Sequence, residues 1–149
     1  MNVREKKPAR PVWLTVVSQS AVEGETERTE FMTEGDLVWE GETPCLNYQE
    51  TEVSGMSGTT TTVRIESDKV SVIRLGTINS MMEFETGSSC MAVYKTPLGE
   101  VPMSIDTRQI EIEWDDILGP LHVHLDYIIS SNGQEVTANT MDIEVKERK

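Results

Sequence analysis

The sequence contains no run of apolar residues long enough to cross a bilayer, which takes about 20. Its first 13 residues, MNVREKKPARPVW, include basic residues, but no apolar stretch follows them, so the pattern of a secretory signal is absent. These two absences predict a cytoplasmic protein that does not interact with membranes.

Cysteine is scarce as well. Cys45 and Cys90 stand far apart, and neither belongs to a C-x-x-C pair. Two reduced thiols in a cytosolic protein fit this usage better than a single disulfide, which stays as the alternative. Cysteine of this spacing supports neither a zinc site nor thiol redox chemistry.

Basic residues are almost missing from the body of the chain. Seven of the 13 lie in the first ten or the last four positions, which leaves 6 Lys and Arg against 24 Asp and Glu between residues 11 and 145. Binding to nucleic acids and to anionic membranes relies on Lys and Arg that displace counterions. The formal net charge of −13 therefore argues against both partners, and its plain role is solubility.

Helical periodicity is absent beyond about two turns, and alternation with period two takes its place. The clearest case is residues 121–129, where apolar side chains occupy every second position and His122, His124 and Asp126 lie between them. Successive side chains of a β-strand point to opposite faces. This segment therefore predicts a strand with one buried face and one solvated face.

Nine or ten such strands follow one another at the roughly 8–12-residue spacing typical of sandwiches and barrels. Residues 59–66 and 70–75 form the clearest hairpin, and Asn132-Gly133 is a turn signal. Strands joined by short turns favour an antiparallel meander, which closes to bury its edges. The sequence predicts one all-β domain at residues 12–149, a single antiparallel up-and-down barrel of about 8–10 strands, behind a flexible basic lead at residues 1–11. A two-sheet sandwich is the alternative.

The polar face of residues 121–129 is the first candidate site. His122, His124 and Asp126 point the same way and could supply ligands to zinc or iron. The chain has no third histidine, and the trio lies opposite the apolar face, where solvent normally sits. We therefore predict a solvated surface, with no metal and no other cofactor.

Arg74 is the second candidate, because it shares the parity of the apolar residues on its strand. A cation inside a barrel requires a carboxylate or an anionic ligand as its partner. Glu50, on the apolar parity of its own strand, is the candidate carboxylate. A strand end or bulge near Gly76 that lets Arg74 reach water is the alternative.

Several short motifs together resemble the YwiB-like family of bacterial, uncharacterised calycin-like β-barrel proteins. The resemblance covers residues 43–107 best, and it rests on Tyr48-Gln49-Glu50, Thr60-Thr61-Thr62-Val63, Arg74-Leu75-Gly76, Phe84 with Gly87, Tyr94-Lys95-Thr96 with Gly99, and Thr107. It implies a lipocalin-like barrel with a central cavity and carries no established activity. It also implies that five polar residues lie near the interior: Tyr48, Glu50, Arg74, Tyr94 and Thr96.

Three functions are compatible with these features. The first is a small-ligand-binding module, whose partly apolar lumen holds a small hydrophobic or anionic molecule near Arg74. The second is a non-catalytic protein–protein interaction or structural barrel, which acts as a homodimer or docks on a partner through an exposed apolar patch near Trp39 or Trp114. The third is an enzyme, although no residues are spaced as nucleophile, base and orienting group. A cleft converging on Arg74, Glu50 and Tyr94 would support it.

Overall fold

The computed structural model describes residues 8–131 and 135–148, and at residues 135 and 136 it describes the backbone alone. Residues 1–7 of the basic lead and the Asn132-Gly133 turn lie outside the described residues. One short 3-10 helix, η1 (Glu52–Ser54), accompanies ten strands: β1 (Arg10–Val22), β2 (Glu25–Glu40), β3 (Thr43–Gln49), β4 (Thr59–Ile65), β5 (Val70–Gly76), β6 (Ser80–Phe84), β7 (Ser89–Thr96), β8 (Gly99–Asp115), β9 (Gly119–Ser131) and β10 (Glu135–Glu147).

The ten strands form one antiparallel sheet in the order β6-β5-β4-β3-β2-β1-β10-β9-β8-β7. Strands that follow one another in the sequence are adjacent in the sheet, except for β6 and β7, which form its two edges. The first strand, β1, pairs with the last, β10. The outer strands β6 and β7 are joined by an isolated bridge between Asn79, which precedes β6, and Lys95, where each amide donates to the other's carbonyl, at 3.0 and 2.9 Å. The predicted up-and-down barrel is confirmed, and it is nearly closed.

The interior is filled by the alternate apolar side chains of the strands. On β9, Val123, Leu125 and Tyr127 are buried, as the alternation at residues 121–129 predicts. The largest fully buried side chains come from eight further strands and include Leu14, Leu37, Leu46, Ile65, Val70, Val72, Phe84, Ile105 and Ile143. Each such side chain contributes about 1.5–3 kcal/mol on burial, so packing across the lumen holds the barrel together.

A bulge in β8 changes which residues face inward. The register to β9 shifts between Thr107 and Gln109. Ile105 and Thr107 are buried before the shift, whereas Ile110 and Ile112 pack against the core after it. A bulge adds one residue to one strand, so the inward parity changes from odd to even numbers. Thr107 is thereby the last inward residue before the bulge.

Turns alternate between the two ends of the barrel. The turns after β2, β4, β6 and β8 lie at one end, where β1 begins and β10 ends, and we name it the Trp114 end. Residues 51–58, with η1, lie at the other end, the Arg74 end. Within the described residues no helix is long and apolar enough to span a membrane.

Candidate functional site

A row of polar side chains crosses three neighbouring strands on the inward face near the Arg74 end. Tyr48 of β3 pairs with Thr61 of β4, and Thr61 pairs with Arg74 of β5. Directly opposed residues of an antiparallel sheet point to the same face. Glu50 follows β3 two residues after Tyr48, so it also points inward. The pairing of β4 with β3 on one side and with β5 on the other therefore brings these four residues together.

Arg74 and Glu50 form a buried ion pair inside the barrel. Arg74 Nε lies 3.8 Å from Glu50 Oε2, and the two residues are 4% and 7% exposed. The Thr61 hydroxyl donates a hydrogen bond of 2.5 Å to the same carboxylate oxygen. Arg74 thus stays inside the barrel rather than reaching water at the strand end.

The charges of this ion pair act on three buried or half-buried tyrosines. Burial raises the pKa of Tyr48, Tyr94 and Tyr127 above the ordinary value for a phenol. The Glu50 carboxylate further raises the pKa of Tyr48 and Tyr94, while the Arg74 charge acts in the opposite direction on all three. These phenols therefore stay neutral at physiological pH and can donate hydrogen bonds.

Three buried polar atoms of the described residues have no hydrogen-bond partner: Arg74 Nε, Ser80 Oγ and Thr107 Oγ1. Ser80 is the cross-strand neighbour of Arg74, and Thr107 is the neighbour of Tyr127. An unpaired buried donor or acceptor costs about 1–3 kcal/mol, so such groups normally hold a water molecule or a ligand. The Ser80 and Thr107 hydroxyl groups therefore lie on strands that neighbour those of Arg74 and Tyr127.

The Arg74 end is covered by residues 51–58. The Tyr94 hydroxyl donates to Met56 Sδ at 3.2 Å, which links this segment to β7. Gly58 packs directly on Gly76. A Cβ atom added at Gly76 would lie 2.2 Å from the Gly58 carbonyl oxygen. A thioether sulfur is a weak acceptor, so the link between Met56 and Tyr94 is a weak one.

The open concavities identified in the described part of the chain lie away from Arg74. Three of them, of about 480, 570 and 600 Å³, adjoin one another at the Trp114 end and share Trp114. Arg74, Glu50 and Tyr94 line none of these concavities. The cluster around Arg74 is therefore an enclosed polar site rather than an open cleft.

Comparison with known families places the chain in one of them. The model of a domain of unknown function, DUF1934, matches residues 14–143. The chain belongs to the DUF1934 family. The uncharacterized beta-barrel protein YwiB of Bacillus subtilis (strain 168) is 27% identical over 138 residues, which cover 93% of this chain and 96% of YwiB. The crystal structure of ywiB protein from Bacillus subtilis matches with a TM-score of 0.74 at 24% identity, over 93% of this chain and 94% of that one.

These comparisons confirm the resemblance to the YwiB-like family and the barrel fold. Neither name assigns a ligand, a partner or a reaction to the DUF1934 relatives. The function of this DUF1934 chain therefore has to be argued from its own residues.

Of the five interior residues that the resemblance implies, the structure brings Tyr48, Glu50, Arg74 and Tyr94 together. Thr96 lies apart, at the last position of β7 beside the turn to β8. Its hydroxyl donates to the Gly99 carbonyl at 3.0 Å and accepts from the Leu98 amide at 3.1 Å, so it serves to close that turn.

Sequence reasoning missed four residues of the DUF1934 site, namely Thr61, Ser80, Thr107 and Tyr127. Tyr127 carries a signal, because it occupies the apolar parity of β9 although it has a hydroxyl group. Thr61 and Thr107 belong to the motifs of the family resemblance, but nothing in those motifs distinguishes them from threonines that favour strands. Ser80 gives no signal of its own.

The two histidines are on the outer face of β9 and are joined by a third residue. Asp142 of β10 accepts from both rings through Oδ1, which lies 2.9 Å from His122 Nε2 and 2.7 Å from His124 Nδ1. Asp142, rather than Asp126, therefore lies between the histidines. Over the described ranges, no three His, Cys, Asp or Glu side chains are grouped to hold a metal ion.

Proposed function

We propose that this protein binds a small, partly apolar carboxylate inside the barrel, with Arg74 as the residue that recognises the carboxylate group. The observation that carries the proposal is Arg74 Nε, a buried cationic donor without a hydrogen-bond partner. Ser80 and Thr107 add two unpaired hydroxyl groups. The unpaired thiols Cys45 and Cys90 suit a cytoplasmic location for this binding protein.

A carboxylate suits the donors that surround Arg74. A guanidinium group has five N–H donors and binds a carboxylate through two parallel hydrogen bonds. Within the described part of the chain, its charged partner is one oxygen of Glu50, at 3.8 Å, and that oxygen already accepts from Thr61. Arg74 therefore has donors to spare, and the neutral phenols nearby can donate to the second ligand oxygen.

The remainder of the ligand would lie among apolar side chains. Phe84 and Tyr127 pack edge to face with ring centroids 4.7 Å apart in the same part of the barrel. Met82 is buried in the core, and Met103 packs against it. Methionine side chains are flexible and can repack around a small apolar group. A ligand would enter where the weak contact between Met56 and Tyr94 closes the Arg74 end.

The proposal is tested by thermal denaturation of the full chain with straight-chain carboxylates from butyrate to dodecanoate and with the matched alcohols. We expect some carboxylates to raise the melting temperature, because a ligand that binds only the folded state stabilises it. The alcohols should raise it much less. Equal effects of acids and alcohols, or no effect of either series, would contradict the proposal.

A matched pair of variants separates recognition by Arg74 from general effects of charge. Arg74→Met should abolish the stabilisation by carboxylates, whereas Arg64→Met should preserve it. Arg64 lies on the outer face with a side chain 36% exposed. A high-resolution crystal structure gives a second readout. If ordered water bonds to Arg74 Nε and Thr107 Oγ1 and no carboxylate changes the melting temperature, these atoms bind water and not a carboxylate ligand.

A further inference from the structure

The Trp114 end of the barrel carries a concave surface, which we name the mouth. It consists of two of the three concavities at this end, of about 480 and 600 Å³, which adjoin one another. The turns after β2, β4 and β6 surround it together with the end of β8. The two concavities share the same six residues: Glu66, Ser67, Asp68, Lys69, Glu85 and Trp114. The mouth is therefore one continuous surface.

The floor of the mouth is apolar. Ile110 and Ile112 of β8 line it beside Trp114, and Pro44 and Ile65 line it on the side of β3 and β4. The two isoleucines also pack against the core, so their positions are fixed by the barrel. Trp114 is 51% exposed. An exposed apolar surface with a polar rim commonly marks an interaction site, and tryptophan is enriched at such sites.

The rim of the mouth is acidic. Within the described part of the chain it contains one cation, Lys69, and four carboxylates, which are Glu42, Glu66, Asp68 and Glu85. Lys69 is already paired with Glu66 at 3.6 Å and with Glu83 at 3.8 Å. Among the described residues, no Lys or Arg lies within ion-pair distance of Glu42, Asp68 or Glu85. These three carboxylates can therefore pair with cations of a partner.

Backbone hydrogen bonds hold the rim in place. In the turn after β4, the Glu66 amide donates to the Lys69 carbonyl at 2.8 Å. In the turn after β6, the Ser88 amide donates to the Glu85 carbonyl at 2.9 Å, and the Gly87 amide donates to a carbonyl of β8 at 3.0 Å. The backbone that carries the rim carboxylates is thus ordered before a partner arrives, which lowers the entropic cost of binding.

An apolar floor inside an acidic rim complements a basic peptide segment. An apolar side chain of such a segment would contact Trp114 and the isoleucines, while Lys or Arg beside it would pair with the rim carboxylates. An arginine can also stack on the face of the Trp114 ring. A second copy of this chain has a formal net charge of −13, so like charges would oppose its approach to the acidic rim.

We propose that the mouth binds a basic segment of another protein, with an apolar side chain against Trp114 and flanking Lys or Arg against Glu42, Asp68 and Glu85. The attraction is electrostatic and close to the surface, so salt weakens it. The mouth and Arg74 lie at opposite ends of the barrel, so this docking does not depend on ligand binding near Arg74.

The test is fluorescence anisotropy of a labelled peptide, Arg-Lys-Leu-Lys-Arg, titrated with the full chain. We expect saturable binding that weakens several-fold when NaCl rises from about 0.05 M to about 0.5 M. A peptide with serine in place of leucine should bind several-fold more weakly, because it lacks the apolar contact. A peptide with glutamine at all four basic positions should not bind. No saturable binding of the basic peptide, or equal binding of the glutamine peptide, would overturn the proposal.

Variants of the protein locate the binding site. Trp114→Ala and the double variant Asp68→Asn/Glu85→Gln should each weaken binding of the basic peptide several-fold. The matched control is Glu25→Gln/Glu27→Gln, which removes the same number of charges from exposed positions at the opposite end of the barrel. Equal weakening by the control would mean that net charge alone attracts the peptide, and it would overturn the proposal.

Two further measurements on the unmodified protein do not depend on variants. In a ¹H–¹⁵N NMR spectrum, the basic peptide should shift the indole N–H signal of Trp114 and leave that of Trp13, on the outer face of β1, in place. A shift of Trp13 without Trp114 would contradict the proposal. Light scattering should show a monomer with and without the peptide. Dimers that dissociate when the peptide is added would assign the mouth to a second copy and overturn it.

Discussion

Arg74 and Glu50 face each other inside the barrel, with 3.8 Å between Nε and Oε2 and side chains only 5% and 1% exposed. Removing two charges from water is costly, and their mutual attraction offsets this cost only when hydrogen bonds satisfy the remaining donors and acceptors. Thr61 satisfies Glu50, whereas Arg74 Nε has no hydrogen-bond partner. The Glu50 carboxylate therefore accepts a hydrogen bond from a neighbour, whereas the Nε–H donor of Arg74 has no acceptor.

Breaking this pair should destabilise the protein more than removing it. Arg74→Met leaves the Glu50 charge buried without a cation, and we expect the free energy of unfolding to fall by about 3–5 kcal/mol. The double variant Arg74→Met/Glu50→Gln should lose less than the sum of the two single variants. Urea denaturation measures all three. The exposed pair of Arg64 and Glu40 is the control, because such surface pairs contribute about 0–1 kcal/mol. Additive losses for Arg74 and Glu50 would show that the two charges are not coupled.

Two threonines of the site should respond in opposite directions to the same substitution. Thr107→Val removes a buried hydroxyl group that has no partner, so it should stabilise the unliganded protein by about 1 kcal/mol. Thr61→Val removes the donor to Glu50 and should destabilise it by about 1–3 kcal/mol. Chemical denaturation of both variants checks the pair. Equal destabilisation by both would mean that Thr107 has a partner in solution.

The tyrosines should resist ionisation until the barrel unfolds. Burial raises the pKa of Tyr48, Tyr94 and Tyr127 in the folded state above the value of about 10 in the unfolded chain. Their contribution to stability is therefore complete below about pH 10 and is lost as the pH rises further. Phenolate absorbance should appear together with the loss of β-sheet circular dichroism. A phenolate signal from all three residues near pH 10, in a protein that is still folded, would be inconsistent with burial.

The sequence was sufficient for the barrel because alternation has a direct physical cause. Residues 121–129 bury Val123, Leu125 and Tyr127 and leave the other parity partly exposed, as a half-buried strand requires. The bulge after Thr107 was beyond prediction, because a single extra residue leaves no distinctive side-chain pattern in β8.

The turn before β9 should be sensitive to a single methyl group. A Cβ atom at Gly119 would lie 2.8 Å from the Trp39 ring, and the residue has φ +106°. Gly24 is a matched control, because its φ is +84° and nothing lies within 4 Å. Both alanine variants pay about 1–2 kcal/mol of backbone strain, and Gly119→Ala should lose about 1–3 kcal/mol more through overpacking. Thermal denaturation compares them, and equal losses would mean that Trp39 moves away freely.

The candidate site was only partly predictable. Parity indicates that Arg74 and Glu50 point inward, but it cannot give the distance between strands that are separated in the chain. The effect of the Arg74 charge on Tyr127 depends on how the sheet closes across the lumen, which no local sequence pattern indicates. The unpaired state of Thr107 likewise depends on every neighbour of its hydroxyl group. Asp142 lies between the histidines because β9 pairs with β10, and Asp142 follows His124 by 18 residues in the sequence.

The central claim is that Arg74 recognises a carboxylate inside the barrel, and the most direct test is the Nε–Hε signal of Arg74 in a ¹H–¹⁵N NMR spectrum. Arg74→Met assigns the signal by its disappearance. We predict that adding the most stabilising carboxylate of the thermal series shifts this signal, while the signal of exposed Arg64 does not move. An Arg74 signal that stays in place when that carboxylate is saturating would contradict the claim.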